Sequence, residues 1–281
     1  MNKISVIVPC YNEEESLTAF HRETAAVLKK IEEADYEFVF VDDGSSDKTL
    51  EIIKELAAED SHVRYVAFSR NFGKEAGMYA GLSEASGDYM VIMDADLQHP
   101  PALLPAMYEA VSKEGYDLCG GLRMGREGDS KLRGIFSRAF YKVSKKLTHM
   151  DMSDGHGDFR MMNRKVAEAI LEMKEYNRYM KGLFSFVGFD TKWIEYESVE
   201  RVMGKSKWNF KSLFSYAFEG ILSFSTAPLK LAGLIGCLLF IGGLAFMGIN
   251  LVQSIGAGGA ITSFDIVIFA LLMPVSYTHL T

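Results

Sequence analysis

From its first residues the chain alternates short apolar runs with longer stretches in which apolar side chains recur every three or four positions. Residues 4–8, 38–41, 63–68 and 89–93 are short and rich in Val, Ile, Phe and Tyr, and are expected to be strands. Between the first two, Leu17, Phe20, Val27, Leu28 and Ile31 share one helical face, and Leu50, Ile53 and Leu56 do the same after the second. Strands apolar on both faces that alternate with helices predict an α/β fold, a mostly parallel sheet covered by helices. Beyond Pro105 the pattern is less regular: a basic helical segment is expected near 130–147, a Gly/Asp stretch occupies 152–158, and one more strand is expected near 191–196.

The last third follows a different pattern. Residues 209–225 mix Phe210, Leu213, Phe214, Phe218, Ile221 and Leu222 with Lys211 and Glu219, which suits an amphipathic helix lying in a membrane interface, with an ordinary packed helix as the alternative. Residues 231–252 contain no charged side chain, and their length matches a hydrocarbon core of about 30 Å. A transmembrane helix is expected there, because a buried core helix seldom stays apolar on every face for so long. A second apolar run, 264–275, carries Asp265 and is too short to span, so the natural chain is expected to continue past Thr281. Lys205, Lys207, Lys211 and Lys230 precede the spanning segment while 253–263 carry no charge, which directs the first domain to the cytoplasm. No basic stretch followed by an apolar one opens the chain, so no cleavable leader is expected. The expected organisation is a cytoplasmic catalytic domain over 1–208, an interfacial helix over 209–228 and a membrane segment over 229–281, in a multi-pass protein of the inner membrane.

Composition narrows the classes. With 48% hydrophobic and 24% charged residues the chain is neither disordered nor fibrous, and a formal net charge of −7 argues against a nucleic-acid partner. Cys10, Cys119 and Cys237 are scattered without metal-type spacing and are expected to be small buried residues. Within this acidic chain, eight Lys and Arg fall between Arg123 and Lys146 against Glu127 and Asp129. Such a cluster suits a phosphate or an anionic lipid, with a solvated helix face as the plain alternative.

Ligands of parallel sheets bind beyond the carboxyl ends of the strands. The residues expected there are Pro9-Cys10-Tyr11-Asn12, Asp42-Asp43-Gly44-Ser45, Ser69-Arg70-Asn71-Phe72-Gly73 and Asp94-Ala95-Asp96, which makes one shared site plausible. Asp94 and Asp96, two apart, can project to the same side and hold a hard cation, with Gln98 adding a neutral oxygen. A cation with so few protein ligands, as Mg²⁺ often has, completes its shell with water and phosphate oxygens; the alternative is a polar turn. Asn12 with Glu15 reads as a helix-capping pair, and Ser46 as the cap of the next helix. Asp43 fits a turn or a carboxylate accepting from a nucleobase N–H.

Together these segments resemble the family 2 glycosyltransferases with a GT-A fold, in their polyprenyl-phosphate branch of bactoprenol glucosyltransferases and dolichyl-phosphate mannose synthases. The resemblance lies in Val8-Pro9-Cys10-Tyr11-Asn12-Glu13-Glu14, Val41-Asp42-Asp43-Gly44-Ser45, Arg70-Asn71-Phe72-Gly73-Lys74-Glu75, Met93-Asp94-Ala95-Asp96-Leu97-Gln98-His99-Pro100-Pro101, Gly157-Asp158-Phe159-Arg160 and Arg201-Val202-Met203-Gly204-Lys205-Ser206-Lys207-Trp208. It implies a Rossmann-like domain in which Pro9, Tyr11, Asn12, Glu13 and Asp43 line the nucleotide pocket. It further implies that Asp94, Ala95, Asp96 and Gln98 surround Mg²⁺ or Mn²⁺ and the donor diphosphate, with Arg123, Arg201, Ser206 and Lys207 near phosphates and Arg133 and Ser137 toward the lipid phosphate. Arg133 and Ser137 are four apart and would share a helix face.

The implied reaction is an inverting transfer of a hexose, from a UDP-hexose in preference to a GDP-hexose, onto undecaprenyl or dolichyl phosphate at the membrane, with a homo-oligomer also allowed. Asp96, Arg201 and Asp158 are its implied catalytic residues, Asp158 acting as base, as acceptor-positioning group or as partner of an arginine. A phosphate monoester has a second pKa of about 6, so this acceptor is largely ionised at neutral pH and needs little help from a base. Two rivals remain. A processive polysaccharide synthase would carry Gln-x-x-Arg-Trp, which follows neither Gln98 nor Gln253, and a nucleotide-sugar sensor without turnover would be expected to have lost the Asp94/Asp96 pair.

Overall fold

The computed structural model describes residues 1–124, 156–175, 178–197 and 222–256. The chain divides into two compact units, Met1–Ser223 and Phe224–Thr281.

The first unit is built on a seven-stranded sheet of β1 (Asn2–Cys10), β2 (Ala34–Asp42), β3 (Val63–Ala67), β4 (Tyr89–Ile92), β5 (Leu118–Met124), β6 (His156–Asn163) and β7 (Thr191–Glu197). Their spatial order is β3-β2-β1-β4-β6-β5-β7. β1 is parallel to β2 and β4, and β2 to β3; β6 runs antiparallel to β4 and β5, and β7 parallel to β5. Six carboxyl ends and the amino end of β6 therefore share one edge of the sheet.

The central strands are buried on both faces: Val6, Ile7 and Val8 of β1 and Phe38, Val39, Phe40 and Val41 of β2 are all at most 1% exposed. β1 and β2 run past the expected 4–8 and 38–41, pairing in register from Asn2 with Ala34 to Cys10 with Asp42. β5 and β6 were not anticipated by the apolar pattern. β5 carries Gly120 and Gly121, and a Cβ at Gly120 would run into the Trp193 ring while one at Gly121 would lie 2.9 Å from Phe159. Aromatic rings of the neighbouring strands fill the space where β-branched side chains would have marked a strand.

Helices α1 (Leu17–Leu28), α2 (Thr49–Glu59), α3 (Lys74–Glu84), α4 (Leu104–Ser112), α5 (Arg164–Leu171) and α6 (Met180–Phe186) flank this sheet, a short 3₁₀ turn at Pro101–Leu103 leading into α4. α1 buries Leu17, Phe20 and Leu28 in one cluster with Val6, Val8, Phe38 and Phe40. It stops at Leu28, and Ile31 is buried from the turn that follows, where its N–H donates to the Leu28 carbonyl. Neither expected cap forms: α1 begins after Ser16 and α2 after Lys48. α3 approaches β1 closely because it presents Gly77 and Gly81; a Cβ on Gly81 would collide with Ile7 Cγ2, and one on Gly77 would sit 3.2 Å from Pro9. This approach brings the first turn of α3 to the edge where the strands end.

In the second unit α7 (Ala227–Gly256) carries a single charge, Lys230. Its apolar side chains are widely exposed, Leu231 by 58%, Leu238 by 61% and Ile241 by 62%. The 24 residues Ala227–Asn250 are long and apolar enough to cross a membrane. The described residues contain this one such helix; the run 264–275 and most of the segment 209–225 lie outside them.

Candidate active site

The loops after β1 and β2 are laced together. Asn12 takes a left-handed backbone (φ 53°); its N–H donates to Ser45 Oγ at 3.0 Å and its Oδ1 accepts from the Ser46 N–H at 2.8 Å. The Glu13 N–H donates to Thr49 Oγ1 at 2.8 Å. The residue read from sequence as a cap therefore ties two loops together. Tyr11 stands out from the edge, 39% exposed, and Pro9 packs on α3 at Gly77.

Asp43 is buried, and its two oxygens accept from the backbone of a third loop, the Phe72 N–H at 2.6 Å and the Gly73 N–H at 2.9 Å. Burial pushes its carboxyl up, against the pull of these two bonds. Gly44 follows at φ 66°, where an added Cβ would lie 2.5 Å from the Arg70 carbonyl carbon, so the β2 loop and residues 70–73 fit only with glycine there. The geometry gives Asp43 a structural task, fixing the segment that starts α3.

Lys74, the first residue of α3, reaches into the acidic centre: its Nζ lies 2.7 Å from Asp94 Oδ1 and 2.8 Å from Asp158 Oδ2. β6 pairs antiparallel with β4, Ile92 opposite Arg160, and continuing that register by two residues sets Asp94 facing Asp158. For Asp158 burial acts upward, but Lys74, then Lys181 and Arg160, hold the carboxyl well below the usual range. Asp94 is likewise held low by Lys74 and His99 against its burial, and Lys74 is raised by the two carboxylates despite its own desolvation. His99 Nδ1 accepts from the Asp94 N–H at 3.1 Å, so its proton sits on Nε2, 4.0 Å from Asp94 Oδ2. The imidazole stacks on Phe159 with ring centroids 4.9 Å apart. Arg160 lies between the rings of Phe184 and Trp193, at 4.7 and 5.0 Å, and its Nε donates to the Gly157 carbonyl, fixing the approach to Asp158. Burial lowers the Arg160 guanidinium to about 10.

Asp96, half-buried, accepts the Gln98 N–H at 3.0 Å across a turn in which Leu97 is left-handed (φ 59°); Ala95 is buried and the Gln98 side chain half-buried. Among the described residues Asn12 and Leu97 are the two non-glycine residues of positive φ, and both are at this edge. Strained backbone of this kind collects at binding sites. Arg123 is exposed near the carboxyl end of β5. Pro9, Tyr11, Asn12, Asp43, Asp94, Ala95 and Asp96 thus belong to one edge, as the parallel-sheet argument expected, and Glu13, Gln98, Arg123 and Asp158 lie at the same edge. Arg133, Ser137, Arg201, Ser206 and Lys207 lie outside the described residues. Lys74, His99 and Arg160 were quoted in motifs but assigned nothing, since lysine at a helix start and arginine in a strand carry no local signal of burial.

The donor set suits a hard divalent cation such as Mg²⁺ or Mn²⁺. Asp94 is 31% exposed at its side chain, and Asp158 Oδ1 is buried without a hydrogen-bond partner, an orphaned acceptor that asks for a ligand. Among the described residues no three His, Cys, Asp or Glu side chains are grouped to hold a metal unaided, so Asp94 and Asp96 would need ligand oxygens to complete the shell.

A mostly parallel sheet with an acidic cluster at its strand ends is the arrangement of the GT-A fold. The chain belongs to glycosyl transferase family 2, whose profile matches residues 5–171. It is 41% identical to the putative glycosyltransferase CsbB of Bacillus subtilis (strain 168), over 96% of this chain and 81% of that one. It is 40% identical to the bactoprenol glucosyl transferase of Shigella phage SfV, over 87% of this chain and 78% of the relative. Among solved structures, glucosyl-3-phosphoglycerate synthase from Mycobacterium tuberculosis, in complex with Mn²⁺ and UDP-glucose, shares the fold with a TM-score of 0.50 at 18% identity, covering 77% of this chain and 76% of that chain. Mannosyl-3-phosphoglycerate synthase from Rubrobacter xylanophilus does so with a TM-score of 0.53 at 14% identity, covering 78% and 71%. The chain is a glycosyltransferase.

Proposed function

We propose that this glycosyltransferase moves a hexose from a UDP-hexose onto a polyprenyl phosphate at the cytoplasmic face of the inner membrane, with inversion at the anomeric carbon. The observation that carries the reading is the pair Asp94 and Asp158, facing each other across β4 and β6 beside Asp96, with one Asp158 oxygen buried and unpaired. Relatives named bactoprenol glucosyl transferase at 40% identity support the lipid acceptor. α7 supports a membrane anchor, and the lysines before it against the uncharged stretch 253–263 support a cytoplasmic catalytic domain. The proposed organisation remains a catalytic domain over 1–208, an interfacial helix over 209–228 and a membrane segment over 229–281.

In this reading Pro9, Tyr11, Asn12 and Glu13 form the nucleotide side, Asp43 fixes the loop behind it, and Asp94 and Asp96 are on the diphosphate side. Mg²⁺ or Mn²⁺ held by Asp94, Asp96 and Gln98 would neutralise charge on the departing diphosphate. Arg123, Arg201, Ser206 and Lys207 are proposed phosphate contacts, Arg133 and Ser137 acceptor contacts. A phosphate acceptor is largely ionised above pH of about 6, and Asp158, held well below the usual carboxylate range, is a weak proton acceptor. Asp158 therefore orients the acceptor and the neighbouring cations more than it removes a proton.

The purified protein, given a panel of UDP- and GDP-hexoses with undecaprenyl phosphate and Mn²⁺, should form a sugar-phosphate lipid from one UDP-hexose. EDTA and Asp96→Ala should each abolish the product. Transfer that survives both would remove the metal from the reading, and an absence of any lipid product across the panel would remove the acceptor.

A further inference from the structure

Two carboxylates facing each other at the end of a strand pair repel unless a cation lies between them. Here the cation is supplied by the chain. The Lys74 ammonium is 2.7 Å from Asp94 Oδ1 and 2.8 Å from Asp158 Oδ2. Its backbone is fixed by the close packing of α3 on β1 through Gly77 and Gly81, and by the two bonds from Asp43 to residues 72 and 73 just before it. Its side chain remains 35% exposed, on a flexible stem ending in a compact point charge that can shift between neighbours without moving the helix.

We propose that Lys74 is a positioning residue that acts as an exchangeable counter-ion: it bridges Asp94 and Asp158 in the metal-free enzyme, yields Asp94 when a divalent cation binds, and stays on Asp158 to hold that carboxylate toward the acceptor. The inference rests on the reading of Asp94 as a metal ligand. It follows that Lys74 opposes metal binding and promotes turnover, two effects of opposite sign from one side chain. Asp158 has one oxygen on Lys74 and the other buried without a hydrogen-bond partner, so among the described residues a single hydrogen bond sets its orientation. Asp94 has its backbone N–H on His99 and so keeps its place when the ammonium leaves.

The test is Mn²⁺ binding without nucleotide, followed by electron paramagnetic resonance of free Mn²⁺ on the full chain in detergent, for wild type, Lys74→Met, Lys74→Arg and Asp94→Asn, with thermal unfolding of each. Removing one positive charge beside the site should tighten Mn²⁺ binding about tenfold in Lys74→Met. The same variant should lose turnover about 100-fold as Asp158 loses its guide. Lys74→Arg, which keeps the charge, should bind Mn²⁺ like wild type. Unchanged or weaker Mn²⁺ binding by a folded Lys74→Met overturns the proposal; unchanged binding joined to a loss of UDP affinity would make Lys74 a diphosphate contact instead. If Asp94→Asn binds Mn²⁺ as wild type does, the metal reading itself fails, an outcome distinct from failure of the counter-ion role.

Discussion

Asp43→Asn should destabilise the catalytic unit and weaken donor binding without changing which base is preferred. The carboxylate takes the Phe72 N–H at 2.6 Å and the Gly73 N–H at 2.9 Å, one on each oxygen. A hydrogen bond to a charged acceptor contributes about 1.5–3 kcal/mol, and the amide keeps one while turning an N–H₂ against the other donor. Burial already pushes this carboxyl up, so removing the charge returns part of the loss. The net effect expected is about 2 kcal/mol, which lowers the unfolding midpoint of a unit this size by roughly 4–8 °C. Residues 72 and 73 lead directly into Lys74, so the loosened loop also disturbs the acidic centre. Thermal unfolding in detergent measures the first effect, and calorimetric titration with UDP and GDP the second. A nucleobase contact would behave differently: stability would stay within about 0.5 kcal/mol of wild type and the affinity loss would fall on one base alone. That result would refute the assignment of Asp43 to the loop.

At the opposite edge of the sheet, Glu37 is buried and accepts from Ser5 Oγ, the Ser86 N–H and Lys3 Nζ at 2.6, 2.7 and 2.9 Å. Burial acts upward on it, yet these bonds hold its carboxyl at about 2 against an ordinary 4.5. Because the folded value is the lower one, the resulting stability of about 3 kcal/mol is present above pH 4.5 and is lost as pH falls from 4.5 toward 2. Denaturant unfolding of wild type and Glu37→Gln at pH of about 7 and about 3 should show the difference between them shrink by more than half; a difference independent of pH would contradict the linkage. Gly81→Ala puts a Cβ onto Ile7 Cγ2 and should cost about 2 kcal/mol by overpacking, measured in the same assay. A variant as stable as wild type would mean that α3 does not hold Lys74 by close contact with β1.

How far the sequence could be read depended on whether each feature was local. β1, β2 and β4 announced themselves because a strand buried on both faces must be apolar along its length, and α7 because a spanning helix must be apolar around its circumference. β5 broke the rule through Gly120 and Gly121, whose missing side chains make room for Trp193, Phe159 and Tyr196 arriving from other strands, and β6 through the polar His156, Asp158 and Arg160 along its length. The cap readings of Asn12 and Ser46 failed for a related reason: both residues lie in the loops ahead of the helices, which begin after Ser16 and Lys48, and their polar atoms bond across to each other, 34 residues apart. Within the site, Asp94 and Asp96 were visible because a spacing of two on an extended chain is itself a geometric statement. Asp158 entered by resemblance, since its position opposite Asp94 depends on β6 inserting antiparallel between β4 and β5. Lys74 was invisible as a site residue, being 84 positions from the carboxylate it holds and, at the start of a helix, indistinguishable from a solvated lysine. Its importance appears only when the register of β4 with β6 and the glycine contact of α3 with β1 are both known, because the first creates the repulsion between Asp94 and Asp158 and the second delivers the charge that relieves it.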